Sequence, residues 1–99
     1  MNYCKIKHLK FVPAKYFEEV KDLNNIFVFT HKQNNRVYKK KVFPSGRIFK
    51  HPKTNSWCFS GDQTCCYGQE FLFIVYLFLK RLDDGKIKYD EEKGELMEC

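Results

Sequence analysis

The residues with the clearest chemical potential form one positively charged tract. Residues 23 to 61 contain no aspartate or glutamate. Aromatic residues are interleaved with the cations of this tract, and such a mixture attracts phosphates and stacks on bases. The cations are Lys32, Arg36, Lys39, Lys40, Lys41, Arg47, Lys50 and Lys53. The aromatic residues are Phe27, Phe29, Tyr38, Phe43, Phe49, Trp57 and Phe59. The tract therefore predicts an anionic partner.

The charge of the chain is unevenly divided between its two parts. Residues 1 to 57 hold thirteen Lys and Arg against three carboxylates, whereas residues 58 to 99 hold five against nine. An asymmetry of this kind is typical of contact with nucleic acid or a membrane. A simpler explanation is that a small protein needs net charge to stay soluble.

Length and hydropathy limit the classes of protein. The chain has 99 residues, enough for one domain with its own core. Its longest apolar run, 71 to 79, has nine residues, against about 20 for a membrane-spanning helix. The N-terminal residues lack the apolar segment of a secretory signal. We predict no membrane contact, an intracellular, cytoplasmic location, one domain over 1 to 90, and a flexible acidic tail over 91 to 99.

Five cysteines are many for a chain of this length, but an odd number in a cytoplasmic protein favours free thiols. Cys4 and Cys58 have apolar neighbours, which predicts buried thiols. A zinc site with Cys4, His8, Cys58 and Cys65 as ligands is a weaker alternative. The spacings argue against it, because no Cys-x-x-Cys is present and adjacent Cys65 and Cys66 point apart on extended backbone. We predict no cofactor.

The hydrophobic pattern predicts two elements before the basic tract. In residues 3 to 12, apolar and charged residues alternate at the start with the period of a strand that has one wet face. In residues 13 to 23, Pro13 suits the first position of a helix, and apolar residues recur every three or four positions. These apolar residues are Tyr16, Phe17, Val20 and Leu23. We predict a strand followed by an amphipathic helix.

The basic tract has the pattern of a β-meander. The predicted strands are 26 to 31, 36 to 43, 47 to 51 and 56 to 60. The first two read as an antiparallel hairpin, and a turn at residues 44 to 46 joins the second to the third. Gly46 is available for the positive φ angle that a tight turn requires.

Residues 68 to 85 are predicted to form a helix. Glu70 places negative charge at its start, and Lys80 and Arg81 place positive charge near its end. The run 71 to 79 has no polar face, so a buried strand is the competing prediction. A helix that is apolar all round must be covered by the sheet and the first helix, or by a second copy of the chain. The run therefore also predicts a homodimer.

These elements together predict an α+β fold. It is a small single domain with an antiparallel β-meander of three to four strands packed against two helices. Three consecutive lysines, 39 to 41, are atypical of a central strand, which places their hairpin at an edge of the sheet or projecting from it. A lysine-rich edge that prevents aggregation explains the same pattern without any partner.

Two classes of function fit this pattern. In the first, the protein is a nucleic-acid-binding or accessory protein, in which lysines neutralise phosphates, arginines reach base edges and aromatic rings stack on bases. In the second, it is an inhibitor or adaptor that docks on an acidic protein surface. The predicted site for either partner comprises Lys32, Arg36, Tyr38, Lys39, Lys40, Lys41, Arg47, Phe49, Lys50, Lys53 and Trp57. No catalytic constellation or nucleotide motif is present, so we predict that the protein is not an enzyme.

Overall fold

The computed structural model describes residues 3–17, 20–30, 44–62 and 66–97, and it contains a five-stranded antiparallel meander. The strands follow one another in the sheet in chain order. They are β1 (Cys4–Ile6), β2 (Leu9–Pro13), β3 (Ile26–Thr30), β4 (Gly46–Lys50) and β5 (Trp57–Gly61). A helix, α1 (Gln69–Asp83), follows the meander, and a second hairpin, β6 (Lys88–Asp90) and β7 (Glu95–Met97), follows the helix.

The predicted first strand is two strands. A turn at Lys7 and His8 folds β2 back on β1, so that Cys4 pairs with Phe11 and Ile6 with Leu9. Lys7 has a φ angle of 53°, a left-handed conformation that the turns of short hairpins require. Lysine has no strong preference for this conformation, which is why the alternation of residues 3 to 12 reads as one continuous strand.

The prediction of an amphipathic helix over residues 13 to 23 is wrong. A single 3₁₀ turn, Ala14–Tyr16, follows β2, and Phe17 is already extended with φ −119° and ψ 116°. The Phe17 ring packs edge-on against Phe27 and tilted against Phe29, with centroids 5.6 and 5.7 Å away. Burial of Phe17 on the sheet therefore replaces the helix that its spacing suggested.

The main core lies between one face of the sheet and α1, and we call this face the inner face. Alternate residues of the strands contribute to it, together with the buried side of the helix. Its helical members are Ile74, Val75, Phe78 and Leu82. The helix predicted at 68 to 85 is confirmed, and the competing strand prediction is wrong. Glu70 lies in its first turn and Lys80 and Arg81 in its last, where they complement the helix dipole.

The acidic C-terminal segment is packed on the domain, whereas the sequence predicted a flexible tail from residue 91. The backbones of β6 and β7 pair over this segment, and Leu96 is buried in the main core. Lys15 Nζ lies 2.5 Å from Glu95 Oε1, and this hydrogen bond raises the pKa of Lys15. Burial of Leu96 and the ion pair between Lys15 and Glu95 explain how the hairpin packs on the rest of the domain.

The structure confirms the α+β class in its coarse form. The sheet has five strands instead of three to four, and the described residues contain one α-helix instead of two. Two of the five strands come from the hairpin that residues 3 to 12 form, and the predicted strand 36 to 43 lies outside the described residues. The missing helix arises because residues 14 to 17 lie against the sheet.

Candidate anion-binding face

The sheet presents cations on the face away from α1, which we call the outer face. The five strands β1 to β5 contain no carboxylate. Period-two alternation and the strand register place Lys5, Lys10 and Arg47 on this face, because each pairs across the ladder with another residue of that face. Its centre is covered by Phe17 and Val20, which form a second apolar cluster with Val12, Phe27 and Phe29.

Arg47 is held in place by two neighbours. Its Nη1 donates a hydrogen bond to Asn25 Oδ1 over 2.7 Å, and its guanidinium carbon lies 4.3 Å from the centroid of the Phe49 ring. Asn25 is itself fixed, since it is 6% exposed and its Nδ2 donates to the backbone oxygen of Asp22 over 3.0 Å. A guanidinium has five N–H donors, so Arg47 presents a positioned fork of the kind that binds phosphate or carboxylate oxygens.

A shallow pocket of about 170 Å³ opens beside Arg47. This volume is small against the roughly 300–1,000 Å³ of sites that enclose a whole ligand. Its lining residues come from the start of β4, the end of β5 and the segments next to them. They are Pro44, Gly46, Arg47, Ser60, Gly61 and Asp62. Arg47 and Asp62 give the pocket both signs of charge, so an anion is expected to bind on the Arg47 side of it.

Tyr67 fixes the two segments that form this pocket. Its hydroxyl accepts a hydrogen bond from the backbone nitrogen of Asp62 over 2.5 Å and donates one to the backbone oxygen of Ser45. A Cβ on Gly61 would lie 2.6 Å from the Tyr67 ring, and one on Gly46 would lie 2.6 Å from the Phe59 ring. Gly46 lies in β4 without a positive φ angle, so it leaves room for Phe59 and does not supply the predicted turn.

Lys5 and Lys10 are residues of the outer face that the sequence did not single out. They are directly opposite each other in the β1–β2 ladder, and like charges in this arrangement destabilise a sheet. Lys10 Nζ lies 4.7 Å from the centroid of the Tyr3 ring, which relieves part of the repulsion. In the sequence, this pair shows only as two lysines on either side of residues 6 to 9. That spacing indicates a pair only when the turn at Lys7 and His8 is known.

The structure separates the predicted site residues of β4 and β5. Arg47 and Phe49 belong to the outer face, whereas Lys50 and Trp57 pair with each other on the inner side, at the end of the sheet near β6. Lys50 Nζ lies 3.9 Å from Glu91 Oε1. The Trp57 ring meets the Tyr89 ring edge-on, with centroids 5.9 Å apart. A carboxylate of the second hairpin, Glu91, therefore lies beside Lys50.

The predicted basic hairpin stays a prediction, because its strand 36 to 43 lies outside the described residues. Among the described residues, β4 pairs with β3 on one side and with β5 on the other. Lys53 lies exposed in the turn after β4. The other predicted site residues lie outside the described residues; they are Lys32, Arg36, Tyr38, Lys39, Lys40 and Lys41.

Three of the four zinc candidates, Cys4, His8 and Cys58, lie in the described residues and are not brought together there. Cys4 is disulfide-bonded and buried on the inner face, so the prediction that it is a free thiol is wrong. Cys58 is a free thiol on the outer face of β5, at the opposite edge of the sheet. His8 Nδ1 lies 3.9 Å from Glu70 Oε1, and Cys65 lies outside the described residues. In the part of the chain that the structure describes, no three potential ligands cluster.

These observations define a small α+β domain with a positively charged sheet face. No protein-family model matches the chain, nor does any curated protein or solved structure. Among the described residues, no helix combines the length and the apolar character that crossing a membrane requires.

Proposed function

We propose that this protein binds nucleic acid through the outer face of its sheet, as a small nucleic-acid-binding or accessory protein. The observation that supports the proposal is the guanidinium of Arg47, which Asn25 and Phe49 hold in place on a sheet without carboxylates. Lys5 and Lys10 add two charges to the same face. A fixed guanidinium and two lysines on one face match the spaced negative charges of a phosphate backbone.

The aromatic contacts favour phosphate binding over base stacking in this proposal. The Phe49 ring lies under the Arg47 guanidinium, and the Trp57 ring lies against Tyr89. Both rings are half-buried by these neighbours. Contacts to the backbone position a protein without reading sequence, so we expect little sequence preference and a strong dependence of affinity on salt.

The cations of residues 32 to 41 remain part of this proposal through their charge alone. Of the predicted binding residues, Lys50 is the least available to an anionic partner, because Glu91 already lies beside it. A change of Lys39, Lys40 and Lys41 together to glutamine is expected to weaken binding more than any single change, since three phosphate contacts are lost.

The test is binding of random-sequence single-stranded and duplex DNA and RNA across a salt series, with the wild type and Arg47→Gln. Loss of one phosphate contact is expected to lower the slope of log affinity against log salt by about 0.9 for a duplex and about 0.7 for a single strand. Lys86→Gln is the matched control, since Lys86 is an exposed lysine after α1 and belongs to none of the strands β1 to β5. No binding at low salt, or equal slopes for Arg47→Gln and the wild type, would refute the proposal.

Docking on an acidic protein is the second candidate function. The Phe49 ring already contacts Arg47, and the Trp57 ring already contacts Tyr89. Charge is then the main means by which the outer face recognises a partner, which favours this candidate. This candidate predicts that one stoichiometric partner stays bound after nuclease treatment and is lost with Arg47→Gln. Loss of the partner on nuclease treatment would instead favour nucleic acid.

The cytoplasmic location stays a prediction, and one observation opposes it. Cys4 is disulfide-bonded, whereas cytosolic thiols are normally kept reduced.

A further inference from the structure

Helix α1 carries an apolar stripe on the side turned away from the sheet. Leu72, Phe73 and Tyr76 are 47%, 52% and 53% exposed. Their spacing of one and three residues places all three on one face of a helix. The predicted apolar run 71 to 79 thus divides into a side that forms the core and a side that the described residues leave uncovered. Contiguous exposed apolar surface of this kind marks an interaction site.

The charges around this stripe are complementary to those of a second, antiparallel copy. Glu70 precedes the stripe, and Lys80 and Arg81 follow it, with Asp83 beyond them at the end of the helix; all four are exposed. Reversing the direction of a second helix brings its lysine and arginine opposite the glutamate of the first. The Glu70 side chain is 67% exposed despite its contact with His8, so it remains accessible to a partner. The order of charges along α1 is thus complementary to that of a second copy of the same helix, which is why we take a second copy as the partner.

We propose that two copies of this protein form a symmetric dimer in which their α1 helices pack antiparallel. The exposed side of α1 extends over positions 69, 72, 73, 76, 80 and 83, and the apolar stripe is its central part. Tyr76 is seven residues from each end of this exposed side, so the two-fold axis passes near Tyr76. Phe73 of each copy then packs under Lys80 of the other, with the aliphatic stem of the lysine on the ring. Such an interface is isologous, as in most dimers.

This dimer is independent of nucleic-acid binding, because the stripe and the outer face belong to opposite layers of the domain. It also gives a pair of outer faces on one particle, which increases avidity for a long polyanion. Its tests use protein without nucleic acid, so the dimer and the proposed function succeed or fail separately.

The first test is the mass of the protein in solution as a function of concentration, by sedimentation. We expect a reversible monomer–dimer equilibrium for the wild type and a monomer for Phe73→Glu. Tyr16→Glu is the matched control, since Tyr16 is also an exposed aromatic residue but lies near β2; this variant is expected to dimerise. A wild type that stays monomeric at the highest soluble concentration, or a dimer unaffected by Phe73→Glu, would overturn the proposal.

The second test reports the orientation of the helices. Glu70→Lys and Lys80→Glu alone are each expected to weaken dimerisation roughly three- to tenfold, and the double variant is expected to restore it. Both changes are unfavourable for the helix dipole, so recovery in the double variant cannot come from a more stable helix. Failure of the double variant to recover would rule out the antiparallel arrangement.

Cross-linking locates the axis. Tyr76→Cys is expected to form a disulfide between the two copies under mild oxidation, which peptide mapping identifies as a link between two identical peptides. Asp83→Cys is the control, because residue 83 of one copy lies far from residue 83 of the other in an antiparallel pair. More cross-linking at residue 83 than at residue 76 would contradict the proposed geometry.

Discussion

The rings of Phe11 and Phe78 stack face to face, with their centroids 4.0 Å apart and their planes 1° from parallel. This contact joins β2, near the middle of the meander, to α1, and both rings are fully buried. It determines which side of the helix faces the sheet. The same contact therefore directs Leu72, Phe73 and Tyr76 to the outside.

The first prediction concerns this stacked pair. Phe78→Ala is expected to lower the free energy of unfolding by about 3–5 kcal/mol, because it removes a buried ring and leaves a cavity. Phe49→Ala is the control, since Phe49 is half-buried on the outer face of the same sheet and is expected to cost less. Urea denaturation of both variants measures the difference. Equal losses would show that the main core does not depend on the ring of Phe78.

The second prediction concerns Asn24, whose amide imitates a neighbouring strand. Its Nδ2 donates to the backbone oxygen of Lys50 over 3.0 Å, and its Oδ1 accepts from the backbone nitrogen of Lys50 over 3.1 Å. Asn24→Ala is expected to cost about 1–3 kcal/mol, since two backbone groups lose their partner. Asn24→Asp keeps the acceptor and loses the donor, so we expect a smaller loss. Chemical denaturation of the three proteins should give that order, and an unchanged Asn24→Ala variant would contradict it.

The third prediction concerns the glycine beside Tyr67. Gly61→Ala is expected to destabilise the protein by about 1–3 kcal/mol, because its Cβ would overlap the Tyr67 ring. Gly68→Ala is the matched control. No atom lies within 4 Å of its Cβ, and its φ of −81° suits any residue, so we expect a change of less than about 1 kcal/mol. Thermal unfolding of both variants is the measurement, and a Gly61→Ala variant as stable as Gly68→Ala would refute the clash.

The fourth prediction is a pH dependence that Tyr89 causes. Burial raises the pKa of Tyr89 to about 12, and the negative charges of Glu91, Asp22 and Asp90 act in the same direction. An unfolded tyrosine has a pKa of about 10. Between pH 10 and pH 12, Tyr89 is therefore still protonated in the folded state but has lost its proton in the unfolded state. The contribution of Tyr89 is therefore fully present below pH 10 and is lost as the pH rises toward 12.

Tyr89→Phe is expected to remove this part of the pH dependence. The variant also loses the hydrogen bond from the Tyr89 hydroxyl to the backbone oxygen of Leu23, at a cost of about 0.5–1.5 kcal/mol at neutral pH. Urea unfolding of wild type and variant at pH 8 and above pH 10 separates the two effects. The difference between them should shrink as the pH rises. A constant difference would show that Tyr89 does not titrate with a raised pKa.

The fifth prediction is a count of free thiols. The chain has five cysteines, and a disulfide at Cys4 uses two of them, so three are expected to react with an alkylating reagent in denaturant without reductant. Cys4→Ala releases the partner thiol, and four of its four cysteines should then react. Mass spectrometry counts the adducts. Five adducts on the wild type would show that Cys4 is a free thiol.

Some elements were predictable because their signals are local. The helix at residues 69 to 83 carries its own evidence, with charges that complement the dipole at each end and an apolar run too rich for a surface segment. The strands at 26 to 30 and 57 to 61 were predicted within one residue at each end, because β-branched and aromatic residues cluster there. The chemistry of Arg47 was also visible, since its type and its cationic surroundings are properties of the sequence.

Other features required the packed chain. The three- and four-residue spacing of apolar residues in 13 to 23 predicted a helix, but the sheet offered Phe17 a better place against Phe27 and Phe29. Burial of one aromatic ring is worth more than the propensity of a short helix. Pairing of β4 with β3 likewise joins residues that lie far apart in the sequence, such as Ile26 and Ile48. Local turn signals at 44 to 46 do not contain this information.

The sequence by itself determined the segregation of charge, the absence of carboxylates from residues 23 to 61 and the type of most elements, because these are properties of composition and of short periodic patterns. The tertiary structure alone decided which cations share a face. It placed Arg47 beside Phe49 and Asn25, and it placed Lys50 beside Glu91. The physical reason is that alternation assigns neighbouring residues to opposite sides of a strand, while only the packing of α1 and of the second hairpin decides what each side meets.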